Sequence, residues 1–321
     1  MKIIFMGTPD FAINSLEALV KAEHQVCLVI TQPDKPKGRG KKVLYTPVKE
    51  MALQYDLPIL QPESIQNEEV ITQIKNIKPD VIVVVAFGQI LSEDILNIPK
   101  HGCINVHASL LPAYRGAAPI QWAVIDGLTE SGITTMYMDK GLDTGDMIEQ
   151  TVVQLSQKET GGSYFDKLAK EGAILLLSTL EKLENQTAVR IKQDHSKSSY
   201  AKMLNKAMGQ IDFTKTAQEI ERLIRGLNPW PGAYTTLGGK ILKIFDADIM
   251  STNSDEKTDV MSTKLSFATG EILAIDKHSF TVQCGEDCLK ILNLQPEGKK
   301  RMDVADFLLG HSIKKGIRLG E

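Results

Sequence analysis

The order of apolar and polar positions divides the chain into two parts of different character. In the first, strand-like apolar runs alternate with segments of helical periodicity. Residues 2–6 form an apolar strand that breaks at Gly7, after which Thr8-Pro9 predicts an N-cap and a first-turn proline. The helix that follows runs to about Ala22, with Phe11, Leu16, Leu19 and Val20 as its apolar stripe. A strand over 25–30 precedes a long polar loop over 31–46. Residues 80–86 carry a continuous β-branched run, the pattern of a strand buried on both faces of a parallel sheet. Further strands are predicted over 102–106 and 133–138, the second leading into the glycine-rich turn 139–145. The alternation predicts an open, doubly wound α/β domain, with ligands gathered outside the carboxyl ends of its strands. An amphipathic helix over 163–183 ends it.

The stretch 184–205 is polar and aperiodic and reads as a linker. Beyond it lie a short helix over 216–225 and strand-like runs over 240–247, 270–275, 279–282 and 289–294, with a polar excursion at 253–259. Short strands at this spacing predict a small β-barrel. The domains are therefore expected at 1–190 and 207–321, joined by a linker over 191–206.

Composition narrows the class. The 321 residues are 42% hydrophobic, enough for two cores. The formal net charge of -3 means that any nucleic-acid surface must be local. No apolar run approaches the roughly 20 residues needed to span a bilayer, and a strand begins at Lys2 with no presequence before it. A soluble, cytoplasmic protein with no membrane partner is the expectation. Of the four cysteines, Cys27 and Cys103 read as small core residues, and Cys284 and Cys288 form a pair with no second pair to complete a metal site. No metal is expected.

The chemistry concentrates in Asn105-Val-His-Ala-Ser-Leu-Leu-Pro-Ala-Tyr-Arg-Gly116. On a strand, Asn105 and His107 leave on one face, and Ile104 and Val106 on the other. Asp143, in the loop after the 133–138 strand, can meet His107 in the same crevice. An amide can donate to a developing oxyanion, an imidazole can hold or move a proton near neutral pH, and a carboxylate can orient that imidazole. The combination suits acyl transfer to an amine. With no G-x-S-x-G elbow, attack comes from the substrate nucleophile without an acyl-enzyme. Each residue also has a plainer role open to it: His107 as a polar strand end, Asn105 as a backbone partner, Asp143 as a support for its own turn. No G-x-G-x-x-G follows any strand, which argues against a dinucleotide-dependent reductase.

Asn105-x-His107-x-Ser109-Leu-Leu-Pro112-x-x-Arg115-Gly116, together with Gly141-Leu-Asp143-Thr-Gly145, resembles the signature of the 10-formyltetrahydrofolate-dependent formyltransferases. The resemblance covers nearly the whole chain. It implies the formyltransferase fold, a Rossmann-like open, mostly parallel sheet followed by a small OB-like β-barrel. It also implies 10-formyltetrahydrofolate as formyl donor and Asn105, His107 and Asp143 as the catalytic trio. Ser109, Leu110, Leu111 and Pro112 match the folate-contacting turn. Phe87, Gly88, Gln89, Ile90 and Leu91 resemble the stretch that lines the pterin pocket, and read equally well as a strand-to-helix turn.

Members of this family use different acceptors, and three features select among them. Gly7-Thr-Pro-Asp-Phe-Ala12 offers no phosphate-gripping glycine loop for a nucleotide acceptor. The loop 31–43 carries Lys35, Lys37, Arg39, Lys41 and Lys42 beside one acid, Asp34. Read by itself it is a solvated basic loop able to grip phosphates. It also resembles the loop that members acting on methionyl-tRNA insert at the acceptor end, with Arg39 as the implied wedge at the first base pair. In the tail, Arg225-Gly-Leu-Asn-Pro-Trp-Pro-Gly232 and the segment bearing Lys299, Lys300 and Arg301 resemble the C-terminal, tRNA-binding domain of the same members. Trp230, between two prolines, is expected to be a packed anchor. One departure is Asn205-Lys-Ala-Met-Gly-Gln-Ile-Asp212, which lacks the acidic residues usual before Ile-Asp. The implied reaction is formylation of the free α-amino group of initiator methionyl-tRNA, held by its acceptor stem, by a monomeric enzyme. Rivals are formylation of an amino sugar nucleotide, hydrolysis of 10-formyltetrahydrofolate, and a non-enzymatic RNA- or folate-binding module.

Overall fold

The computed structural model describes residues 1–37, 42–251 and 267–321. They form two compact units, one of residues 1–119, 129–155 and 163–202, the other of 120–128, 156–162 and 203–321.

The first unit is built on a seven-stranded sheet. Ile59–Leu60, Gln25–Ile30, Lys2–Gly7, Val81–Val85 and Cys103–His107 lie side by side and parallel. All five residues of Val81–Val85 and of Cys103–His107 are buried. Alternate residues feed opposite faces, so Ile4, Met6, Leu28, Ile30, Ile82 and Val84 share one core cluster. On the other face Val106 and Ile133 meet the long helix Gly161–Glu184 at Gly172, where an added Cβ would stand 3.1 Å from Val106.

One expectation changes here. Thr8 does not cap a helix: its Oγ1 donates to the carbonyl of Phe87 at 3.0 Å. A 3-10 turn, Asp10–Ala12, leads instead into the helix Ile13–Lys21. The strand Glu130–Tyr137 runs antiparallel to Cys103–His107, and Met147–Gln154 antiparallel to it in turn. The carboxyl end of Glu130–Tyr137 therefore lies at the opposite end of the sheet from that of Cys103–His107, with Tyr137 beside Ile104.

The second unit holds an antiparallel sheet in the order Ala233–Leu237, Lys240–Met250, Cys288–Pro296, Phe280–Gln283, Ile272–Ile275, with Met302–Asp303 also pairing on Cys288–Pro296. The chain terminus joins the two outer strands: Leu319 N donates to Gly270 O, Ile317 O accepts from Ile272 N, and Gly320 N donates to Thr236 O. Around this sheet Phe213, Ile220, Ile224, Ile244, Phe280, Ile291 and Phe307 form one core cluster. Thr216 and Glu219 make a reciprocal capping box for Ala217–Gly226. The turn at Lys206–Gly209 forms without the usual acids, because Asn205 Oδ1 accepts from Met208 N. Trp230 is 56% exposed, so it is not the packed anchor expected. Burial pushes the thiols of Cys284 and Cys288 up to about 12 and about 11. Among the described residues, no helix is long and apolar enough to cross a membrane.

Candidate active site

Asn105 and His107 project from one face of Cys103–His107, 9% and 6% exposed. Asp143 reaches them by a loop that doubles back from the far end of the sheet. After Tyr137 the chain turns at once, with Tyr137 N donating to Asp146 O at 2.9 Å. Asp139 Oδ1 organises the turn by accepting from Gly141 N (2.9 Å) and Thr144 Oγ1 (2.6 Å). Asp143 sits at φ 53°, the left-handed region that few residues other than glycine occupy.

The Asp143 carboxylate is the hub of the site. Oδ2 accepts from the backbone N–H of Gly116 at 2.8 Å and lies 3.6 Å from Nδ1 of His107. Oδ1 accepts from Nδ2 of Asn105 at 3.4 Å. The other imidazole nitrogen, Nε2 of His107, is 2.9 Å from the carbonyl of Tyr114, which can only accept, so Nε2 carries a proton. That leaves Nδ1 facing the carboxylate.

The turn after His107 is cross-braced. Ser109 is fully buried, and its Oγ donates to Ala113 O at 2.6 Å. Thr134 Oγ1 donates to Ser109 O at 2.6 Å and accepts from Leu111 N and Gln150 Nε2. Gln150 Nε2 also donates to Leu111 O. Leu111 packs with Met136 and Met147, while Leu110 and Pro112 remain half-buried. Neither Thr134 nor Gln150 was legible as a site residue, since each is one polar position in a strand.

Phe87 and Leu91 belong to the core, Ile90 is 75% exposed, and Gly88 has φ 85°. Gln89 Oε1 accepts from Ile65 N at 2.7 Å. Gln32 and Thr8 both donate to Phe87 O, so this stretch is stapled to the loops after the first two parallel strands. These loops line the carboxyl edge of the sheet, where ligands of such folds bind.

Lys35–Lys37 and Lys42–Leu44 form a two-stranded hairpin in which Lys35 is exposed. Lys37 and Lys42 belong to its strands, and Arg39 and Lys41 lie outside the described residues. Asp34 is ion-paired with Lys49 and accepts from Gln61. In the second unit Lys299, Lys300 and Arg301 are exposed. The Arg301 guanidinium stacks on Phe245 at 4.6 Å and donates to Asn293.

Sequence reasoning missed Gln193. Gln193, within the stretch 191–206, belongs to the first unit and is 7% exposed. Its Nε2 donates to the carbonyls of Asp143 and Gly145, and its Oε1 accepts from Arg115. No periodicity marks such a residue.

Known proteins resemble this chain along its length. A family described as "Formyl transferase" matches residues 1–180, and one described as "Formyl transferase, C-terminal domain" matches residues 203–312. The methionyl-tRNA formyltransferase of Lachnospira eligens is 52% identical over 321 residues, covering 100% of both chains. The N-formyltransferase from Helicobacter canadensis, crystallised with folinic acid and dTDP-3-aminofucose, is 21% identical with a TM-score of 0.63, covering 91% of this chain and 99% of that one. HypX from Aquifex aeolicus in complex with tetrahydrofolic acid is 15% identical with a TM-score of 0.63, and this chain, 97% covered, spans 47% of its length. The two solved structures share the fold, and the matches over both halves settle the lineage: the chain belongs to the formyl transferase family.

Proposed function

We propose that the chain transfers the formyl group of 10-formyltetrahydrofolate to the α-amino group of initiator methionyl-tRNA. The observation that carries this reading is the 52% identity over full length to a methionyl-tRNA formyltransferase, which the site geometry suits chemically. The attacking amine must be neutral, and its ordinary pKa near 8 puts that within reach of modest desolvation or a nearby base. The amine nitrogen bonds to the formyl carbon and loses a proton, the bond from that carbon to N10 of the donor breaks, and N10 takes up a proton as tetrahydrofolate leaves.

The residues divide this work. Asn105 has two N–H donors and gives one, over a long 3.4 Å, to Asp143, which leaves the amide able to donate to the oxyanion as it forms. His107 is anchored at Nε2, and its Nδ1, whose 3.6 Å separation from Asp143 exceeds a hydrogen bond, is the edge that holds or moves a proton at the reacting centre. Asp143 orients that edge and assists removal of the amine proton, directly or through one water. Ser109, Leu110, Leu111 and Pro112, with Phe87, Gly88, Gln89, Ile90 and Leu91, form the wall for the folate. Lys35, Lys37, Arg39, Lys41 and Lys42 in residues 1–190, and Lys299, Lys300 and Arg301 in residues 207–321, contact the tRNA backbone.

The test incubates the protein with 10-formyltetrahydrofolate and charged initiator tRNA, with elongator methionyl-tRNA, a dTDP-amino sugar and no acceptor as the other arms. Formyl-methionyl-tRNA formed preferentially on the initiator is the expected product. Formate release without an acceptor, or formylation of the sugar amine alone, overturns the proposal. Asn105→Ala should lower kcat by roughly two to three orders of magnitude, and wild-type turnover in that variant removes Asn105 from the mechanism.

A further inference from the structure

Residues 190–201 brace both segments that hold the trio. On the side of the acidic loop, Ile191 and Met147 exchange two backbone hydrogen bonds of 2.8 and 2.9 Å. Arg190 stacks over Tyr137 at 3.7 Å and lies 3.9 Å from Asp146. On the side of Tyr114 and Gly116, Ser199 Oγ accepts from Tyr114 N and Ser199 O from Arg115 N. Tyr200–Ala201 then pairs in parallel with Arg115–Gly116.

Gln193 ties the two sides together. Its Nε2 donates to the carbonyls of Asp143 (2.9 Å) and Gly145 (2.8 Å). Its Oε1 accepts from Nε (3.1 Å) and Nη2 (2.6 Å) of Arg115. All four hydrogen-bonding positions of the amide are used, and only an amide offers two donors at one corner and two acceptor positions at the other. Asp143 needs such support. Its backbone is in the left-handed region, its contacts to Asn105 and His107 are 3.4 and 3.6 Å, and its one short carboxylate bond, 2.8 Å, is to Gly116 on the other braced segment.

We propose that Gln193 is a positioning residue for formyl transfer: by clamping the Asp143 and Gly145 carbonyls to the Arg115 guanidinium, it fixes the Asp143 carboxylate against His107, Asn105 and the Gly116 N–H. The inference rests on the reading above that Asp143 acts with His107. The test measures kcat, both KM values and thermal unfolding of the full chain for Gln193→Met, Gln193→Glu, Asp143→Asn and the Gln193→Met/Asp143→Asn double variant. Gln193→Met keeps the volume and removes all four bonds. Gln193→Glu keeps the acceptor for Arg115 and loses both donors. Both should lower kcat by roughly 10- to 100-fold, the cost of misplacing a reacting group by about 1 Å, with both KM values unchanged. The double variant should be no slower than Asp143→Asn, because Gln193 acts through Asp143.

Multiplicative losses in the double variant overturn the proposal. So do wild-type kcat in Gln193→Glu and a defect confined to KM or to unfolding. If Asp143→Asn is slow while both Gln193 variants are not, the role of Gln193 alone falls. If Asp143→Asn turns over like the wild type, the catalytic reading of Asp143 falls, and this proposal with it.

Discussion

Gly145 is where the return of the acidic loop is tightest. A Cβ there would stand 1.9 Å from the carbonyl oxygen of Tyr137 and 2.9 Å from its carbon, and side-chain carbons essentially never approach other atoms closer than 3.0 Å. Gly145→Ala must therefore open the gap by about 1 Å. Tyr137 ends a strand paired on both edges, so the loop is the part that yields. Asp143 lies two residues before Gly145, and both carbonyls bind Gln193, so the displacement reaches the carboxylate. A shift of about 1 Å at a reacting group costs about 10²-fold in rate. That is about 2.7 kcal/mol of barrier, since each tenfold is about 1.36 kcal/mol. Overpacking itself costs about 1–3 kcal/mol, which a two-unit protein tolerates, so the variant should be folded. Single-turnover formylation of methionyl-tRNA, with thermal unfolding and folate binding measured in parallel, reads the two effects apart. A folded Gly145→Ala enzyme with wild-type single-turnover rate would refute the argument that loop position sets the rate.

Two further predictions concern stability and the acceptor. Burial alone would raise the Glu149 carboxyl, but hydrogen bonds from Lys182, Thr179 and Ser178 outweigh it and leave its pKa below the ordinary glutamate value. The unfolded carboxylate then takes its proton first as pH falls. The stabilisation is complete above the unfolded value of about 4.3 and is lost as pH drops through the lower folded one. Glu149→Gln should thus lower Tm at neutral pH by more than in acid, and a pH-independent difference in Tm would contradict this. Lys299→Ala and Lys300→Ala should weaken tRNA binding and flatten its dependence on salt by about 0.9 in log-log slope for each lost phosphate contact, leaving the folate KM unchanged. An unchanged slope removes these lysines from the interface.

Much of the first unit was legible because its signals are strong. Val81–Val85 is an unbroken β-branched run, and Gly161–Glu184 holds its helical period for 24 residues. Asn105 and His107 needed only the alternation of one five-residue strand. What failed to show depends on partners distant in sequence. The apolar pattern of Glu130–Tyr137 is the same whether its neighbour runs parallel or antiparallel, so its direction was invisible. Gln193 bonds residues 48 to 78 positions away, and a buried amide leaves no hydropathy trace. The short strand Ala233–Leu237 was overlooked between Gly232 and Gly238, and Trp230 is exposed although large aromatic side chains are mostly buried.

Formyl chemistry and choice of acceptor have separate physical origins in this chain. The fold does not choose the acceptor, since a protein crystallised with dTDP-3-aminofucose shares it at a TM-score of 0.63. Nor, on the proposed mechanism, does the trio, whose roles concern an amine and a formyl carbon. A net charge of -3 supplies no general attraction to a polyanion, so recognition of tRNA has to rest on local positive charge that internal acids do not neutralise. Lys35 satisfies that condition for a reason the sequence conceals. Its neighbouring acid, Asp34, is held by Lys49 and Gln61, so it is not available to quench Lys35. In the second unit the Arg301 guanidinium is engaged by Phe245 and Asn293, so under the proposed tRNA contact the weight falls on Lys299 and Lys300. Charge reversal should therefore discriminate where a simple count of lysines does not. Lys35→Glu should cost far more in tRNA KM than the same change at Lys158, whose charge Asp248 already holds, and equal losses at the two sites would show that overall charge governs the encounter.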